Sequence, residues 1–135
     1  MNTALVALAW TAVFCLLLWI PYVLARIGQK GLMGAMGNPS PDDPALPAWA
    51  DRAKRAHMNL VENIGPFAVA VLIAHALGVS DPAVGTAAVV FFWARVAHWL
   101  VYTLGIPVVR TLAFAVAWIA NLWILWLIIG ALYGG

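Results

Sequence analysis

The sequence has few charged residues and a single cysteine. Asp, Glu, Lys and Arg make up 9% of its 135 residues, whereas soluble domains carry about 25%. The net charge of +2 is too small for a nucleic-acid-binding surface, so we expect no nucleic acid among the partners. The lone Cys15 excludes an intrachain disulfide and a metal site built from several cysteines of one chain.

Apolar side chains take up 65% of the sequence instead. A soluble fold of this length keeps too much of its surface exposed to hide them, so we expect lipid to be the solvent. A membrane-spanning helix needs about 20 mostly apolar residues, and four segments provide them: 4–25, 53–77, 82–105 and 111–133. The prediction is an all-α integral membrane protein, a single domain over 1–135 that folds as a bundle of four transmembrane helices.

The connections between these segments predict the orientation in the membrane. The long loop 26–52 and its borders hold most of the basic residues: Arg26, Lys30, Arg52, Lys54 and Arg55. The turn after the second span carries only Asp81. Since basic residues concentrate in cytoplasmic loops, we expect this loop in the cytoplasm and both termini on the opposite side. Its repeated glycines, from Gly28 to Gly37, indicate a flexible segment beside the membrane or, alternatively, a loop that packs closely around a ligand.

Two groups of polar residues share helix faces inside the second and third spans. Arg55, Asn59 and Glu62 lie within about 60° of one another on a helix, and Arg95, His98 and Tyr102 follow the same kind of spacing. Arg110 and Thr111 come after the third span. Because charged residues in a span usually face a bundle interior or a wet cavity, we expect both groups to border one patch.

Two interpretations of this patch remain open. Glu62 is the only acidic residue inside a predicted span, so it is the expected partner of Arg95, and the pair could simply lock two helices together. Alternatively, the arginines bind carboxylates and Glu62 binds an amine, which suits a small zwitterionic or polyanionic molecule. His57 is expected to point away, towards a neighbouring chain or the lipid headgroups.

Scattered histidines and the isolated cysteine predict no metal site. The three histidines show no ligand spacing, so no metal is expected. Cys15 is expected in mid-membrane with no basic group nearby, and we interpret it as an inert packing residue.

Two segments carry specific motifs. Residues 51–67 contain R-A-H-x-N-x-x-E-N-x-x-P-F, and residues 94–111 contain R-V-A-H-x-x-x-Y followed by R-T. Their order and the four-span layout resemble the MAPEG family, the membrane-associated proteins in eicosanoid and glutathione metabolism. The resemblance covers essentially the whole chain and is greatest to the bacterial branch, which implies a bacterial inner membrane.

The resemblance implies a homotrimer that binds glutathione between subunits near the cytoplasmic face. By motif position, the implied glutathione-binding residues are Arg55, Asn59, Glu62, Arg95, His98 and Tyr102, with Arg26 or Lys30 as a further basic contact. Arg110 matches the arginine thought to stabilise the glutathione thiolate, with help from Thr111 or Tyr102. Met58 and Phe114 depart from the family pattern, since several members carry arginine or tyrosine there.

Three functional hypotheses follow. The first is a glutathione-dependent membrane transferase or peroxidase that acts on lipophilic electrophiles or hydroperoxides, with glutathione as co-substrate. The second is a non-catalytic lipid- or ligand-binding member of the same family. The third, a small transporter or channel subunit, is disfavoured because the first and fourth spans carry no charge.

Overall fold

The computed structural model of the protein describes residues 2–134, and over this range it contains helices and no strand. The helices are α1 (Thr3–Leu17), α2 (Ile20–Met36), α3 (Ala48–Ala76), α4 (Pro82–Leu104) and α5 (Pro107–Tyr133). Because α1 and α2 run on as a single segment, 4 segments are long and apolar enough to cross a membrane. The predicted all-α, four-span membrane bundle is confirmed.

The first span is broken and longer than predicted. Pro21 has no N–H to donate to the carbonyl of Leu17, so the helix is interrupted between α1 and α2. Helix α2 then continues to Met36 and α3 begins at Ala48, so the predicted loop 26–52 is wrong at both ends. The long loop in the structure is residues 37–47. Within α2, Gly31 has φ 71° and ψ 168°, a conformation that only glycine adopts readily. The glycine-rich segment is therefore a bent helix rather than a flexible loop.

The ends of α4 and the start of α5 are set by Asp81, Gly105 and Pro107. Asp81 caps α4 by accepting a hydrogen bond of 2.8 Å from the backbone N–H of Ala83. Gly105 ends α4 in the left-handed conformation, with φ 81°, as glycine commonly does at this position. Helix α5 starts at Pro107, four residues earlier than the predicted span, so Arg110 and Thr111 lie in its first turns.

Helix α4 is central and packs against α1, α3 and α5. The buried apolar core lies in the half of the bundle that is farther from the long loop. Small residues there, such as Ala70 and Ala88, let the helices approach closely. Phe67 and Phe91 stack with ring centroids 3.9 Å apart. The two predicted groups of polar residues on α3 and α4 thus lie in the half of the bundle nearer the long loop.

Candidate functional site

Polar side chains in the first half of α3 line a groove on the outside of the bundle. The groove has a volume of about 400 Å³. Its lining consists of Asp51, Lys54, Arg55, Met58, Asn59, Glu62 and Tyr102. The structure therefore brings the predicted α3 residues Arg55, Asn59 and Glu62 together and adds Tyr102 from α4. Of the three polar α4 residues that were predicted to join them, only Tyr102 reaches the groove.

The groove carries charges of both signs. Arg55 Nε donates a 2.8 Å hydrogen bond to Asp51 Oδ2 one turn earlier, and both side chains are exposed. The carboxylate of Glu62 is exposed and forms no ion pair with any residue from 2 to 134. The groove therefore has the exposed Arg55–Asp51 ion pair at one end and the unpaired carboxylate of Glu62 within the same lining.

Arg95 lies inside the bundle, and its predicted pairing with Glu62 is wrong. Its side chain is only 2% exposed, and its Nη2 donates a 2.7 Å hydrogen bond to Asn59 Oδ1. The guanidinium carbon also lies 5.9 Å from the centre of the Phe114 ring. Helix α4 turns this face towards the bundle interior, where Asn59 at the inner edge of the α3 stripe meets Arg95 and Glu62 does not.

His98, Tyr102 and Arg110 form a stack from the bundle interior to the groove. His98 is 3% exposed and packs edge-on against Tyr102, with ring centroids 5.5 Å apart. The guanidinium carbon of Arg110 lies 4.3 Å from the centre of the Tyr102 ring, a cation–π contact. Thr111 is exposed, and its hydroxyl donates to the carbonyl of Pro107 at 3.3 Å. Arg110 therefore supports one wall of the groove without lining it.

The two basic residues of α2 bind the long loop rather than the groove. Arg26 donates to the carbonyl of Pro44, and Lys30 forms an ion pair with Asp43. The hydrogen bond from Lys30, together with one from the backbone N–H of Ser40, holds the pKa of Asp43 below its usual value of 3.8. These contacts fasten the loop along α2, so neither Arg26 nor Lys30 lines the groove in this conformation.

Arg52 joins the groove-bearing helix to α4, a contact that the sequence analysis missed. Its Nε donates a 3.0 Å hydrogen bond to the carbonyl of Thr103, and its guanidinium covers Gly105. A Cβ added at Gly105 would lie 3.2 Å from the guanidinium carbon. A basic side chain beside the last turn of a helix is favoured by the partial negative charge there. Arg52 thereby fixes the end of α4 that carries Tyr102.

His57 and Cys15 also differ from their predicted surroundings. His57 is buried, and its Nδ1 lies 3.0 Å from the hydroxyl of Tyr22. Its Nε2 lies 3.9 Å from the sulfur of Cys15. His57 therefore faces α1 and α2 of its own chain, and Cys15 has a basic neighbour after all. Residues 2–134 contain no group of three or more His, Cys, Asp or Glu side chains that could hold a metal ion.

The comparison with known families identifies the fold. The sequence profile of the MAPEG family matches residues 4–130. The chain belongs to the MAPEG family. The match spans all four membrane segments of this MAPEG chain and includes every groove-lining residue, which confirms the resemblance read from the motifs. No curated protein sequence matches the chain.

Proposed function

We propose that this MAPEG protein is a glutathione-dependent membrane transferase or peroxidase that acts on lipophilic electrophiles or hydroperoxides. MAPEG members include glutathione transferases and peroxidases as well as non-catalytic proteins. The observation that carries the proposal is the groove on α3, where the cations Lys54 and Arg55 and the free carboxylate of Glu62 line one space of about 400 Å³.

Glutathione fits the chemistry of these groups. It has two carboxylates, one ammonium group and one thiol, so it needs cationic and anionic partners in the same site. Arg55 is suited to a carboxylate because a guanidinium can bind it with two hydrogen bonds. Glu62 is suited to the ammonium group. The groove volume lies within the range of about 300–1,000 Å³ that is typical of small-molecule sites.

The stack of His98, Tyr102 and Arg110 at one wall of the groove supports activation of the glutathione thiol. A free thiol has a pKa near 8.5, and the thiolate is the nucleophile. Tyr102 lines the groove and carries Arg110 on its ring, so a sulfur beside Tyr102 meets a hydroxyl donor and a nearby positive charge. Both favour the thiolate. Thr111 can assist only if its hydroxyl leaves the carbonyl of Pro107.

The reaction then follows from the nucleophile. The thiolate sulfur bonds to the electrophilic carbon, and the leaving group departs with the electron pair. With a hydroperoxide, two glutathione molecules are oxidised to the disulfide, and the hydroperoxide is reduced to alcohol and water. The lipophilic substrate arrives from the bilayer, because the groove is open on the outside of the bundle and the apolar side chain of Met58 lines it.

Assembly and orientation belong to the same proposal. We place the protein in a bacterial inner membrane with its long loop in the cytoplasm and both termini on the opposite side. The working unit in this proposal is a homotrimer in which a neighbouring subunit covers the groove. The exposed carboxylate of Glu62 inside a span supports such a cover, because lipid alone does not solvate a charge. Native mass spectrometry in mild detergent tests this, and a monomer would contradict it.

Thiolate formation is the direct test of the activity. Addition of glutathione to the purified protein should produce the ultraviolet absorbance of a thiolate, and Arg110→Ala should abolish it. Arg110→Lys is the matched control, because it keeps a positive charge at the same position and should retain the thiolate signal. Absence of the thiolate signal, of conjugation to a chloronitrobenzene and of binding by calorimetry would together overturn the proposal.

One observation favours a second candidate, a non-catalytic lipid- or ligand-binding protein of the same family. Met58 lines the groove at a position where several MAPEG members carry arginine, and it is 45% exposed. An apolar side chain there weakens the case for a polyanionic ligand and suits an acyl chain. Binding of lipid in the groove without thiolate formation would support this candidate.

A further inference from the structure

Arg95 is a buried cation with one polar contact. Its side chain is 2% exposed, and its Nε has no hydrogen-bond partner among residues 2–134. Its Nη2 donates to Asn59 Oδ1 at 2.7 Å. A charge in a low-dielectric interior is costly without partners, so this hydrogen bond is important for both residues. The contact joins α4, inside the bundle, to the helix that carries the groove.

The chemistry of the two side chains fixes the orientation of the amide. A guanidinium only donates hydrogen bonds, whereas an asparagine amide has an accepting oxygen and a donating nitrogen. The Asn59 oxygen must therefore face Arg95. In the reversed amide the NH2 group would face the guanidinium, and two donors cannot form a hydrogen bond with each other. The amide nitrogen is then directed away from Arg95.

The opposite side of Asn59 is the groove. Asn59 is among the residues that line it, and its Nδ2 donates to no residue from 2 to 134. The backbone at this position is also tied to the next turn, since Asn63 Nδ2 donates to the carbonyl of Asn59 at 2.7 Å. Arg95 therefore holds the Asn59 amide through its oxygen, and the amide N–H group remains without a partner.

We infer that Arg95 is a positioning residue: from inside the bundle it orients the Asn59 amide so that the groove presents an N–H donor to an acceptor group of the ligand. A contact of Asn59 with glutathione is already implied by the family resemblance; the inference concerns the orientation of the amide, which Arg95 sets without itself reaching the groove. The identity of this ligand rests on the proposed function. The orientation of the amide does not, because Arg95 imposes it without ligand.

The first test needs no ligand. The chain has five asparagines, so protein labelled with ¹⁵N-asparagine in lipid nanodiscs gives a small set of side-chain amide signals. The Asn59 signals should be sharp in the native protein and should move or broaden in Arg95→Met. Arg95→Lys should restore them, since lysine also only donates. The signals of Asn121 on α5 report whether the fold is intact.

The outcome in these variants decides between positioning and simple packing. Unchanged Asn59 signals in Arg95→Met, with Asn121 also unchanged, would overturn the inference. Should Arg95→Met not fold, Arg95→Lys and the native protein still decide it: Asn59 signals that match those of the exposed Asn38 in the folded native protein would show a freely rotating amide and equally overturn it.

The second test uses Asn59→Asp and glutathione. Aspartate keeps an oxygen for Arg95, so the protein should fold, but it removes the N–H donor from the groove. Glutathione should then bind about tenfold more weakly or worse by calorimetry, as expected for losing a hydrogen bond to a charged group. Unchanged affinity would mean that Asn59 serves only to satisfy Arg95, and the donor role would be wrong.

The two tests separate this inference from the proposed function. If native protein binds no glutathione, the proposed function and the donor role towards that ligand both fail. The amide signals of Asn59 then still decide whether Arg95 positions it.

Discussion

The polar stripes of α3 and α4 have similar spacing in the sequence but opposite environments in the fold. Arg55 and Glu62 of α3 are exposed and border the groove, whereas Arg95 and His98 of α4 are buried in the bundle. Only Tyr102 of the α4 stripe reaches the groove. One stripe therefore lines an open groove, and the other lies mostly behind it and contacts it through the Asn59–Arg95 hydrogen bond and Tyr102.

The difference shows what helical spacing can and cannot determine. Spacing determines which residues share a face of one helix. The direction in which that face turns depends on how the helix packs. Both helices pack against several neighbours, but the polar face of α4 is turned towards the bundle interior, whereas the polar face of α3 lines the groove on the outside. The two stripes thus meet at two points: the hydrogen bond between Asn59 and Arg95, and the groove, where Tyr102 lies beside the α3 residues.

The largest effect should come from breaking that hydrogen bond on the α3 side. Asn59→Leu leaves the guanidinium of Arg95 buried without its partner, which should destabilise the protein by about 3 kcal/mol. Unfolding by titration with a denaturing detergent measures the change.

Glu62→Gln is the matched control on the same stripe. Glu62 is exposed and unpaired among residues 2–134, so this change should shift the unfolding free energy by less than about 0.5 kcal/mol. Equal effects of Asn59→Leu and Glu62→Gln would mean that the hydrogen bond to Arg95 contributes no more to stability than an exposed side chain.

A smaller effect on stability, but a clear one on binding, is expected at the exposed end of the α3 stripe. Arg55 pairs with Asp51 in an exposed ion pair, so Arg55→Ala should cost less than about 0.5 kcal/mol of stability. It should weaken glutathione binding about tenfold or more, because a carboxylate of the ligand loses its partner. Calorimetry measures the affinity.

Lys30→Ala is the control for that binding experiment. It removes one positive charge as well, but Lys30 pairs with Asp43 of the long loop and does not line the groove. We expect unchanged affinity. A loss as large as that of Arg55→Ala would show that Lys30 leaves Asp43 to contact the ligand.

Much of the fold could be predicted from the sequence because the membrane imposes a simple rule. Helices that span lipid need long apolar runs, and such runs are visible without a structure. The errors lie where backbone geometry decides. Pro21 interrupts the first span because it lacks an N–H, and Gly31 permits a bend within α2 rather than a loop. The sequence shows both residues, but it does not show whether the chain remains helical beyond each of them.

The candidate site was predicted less completely. The residue types were recognisable from the motifs, but their partners depend on packing between helices that are distant in sequence. Asn59 meets Arg95 across 36 positions, and His57 meets Tyr22 across 35. Such contacts follow from the rotation of each helix in the bundle, about which a single sequence carries little information.

The smallest effect is expected in the long loop, which contacts neither stripe. The pKa of Asp43 is below its usual value of 3.8, so folding favours its ionised form through Lys30 and Ser40. This stabilisation is complete above the usual value and is lost as the pH falls through the lowered one. The pair is partly exposed, so the effect is local.

In strong acid, the backbone amides around Asp43 should exchange hydrogen faster, relative to their intrinsic rates, than they do at neutral pH. Asp43→Asn should show the same loosening at neutral pH and Asp42→Asn should not. Glutathione affinity should stay unchanged in both variants, because the groove lies on α3, and a change would show that the loop and the groove are coupled.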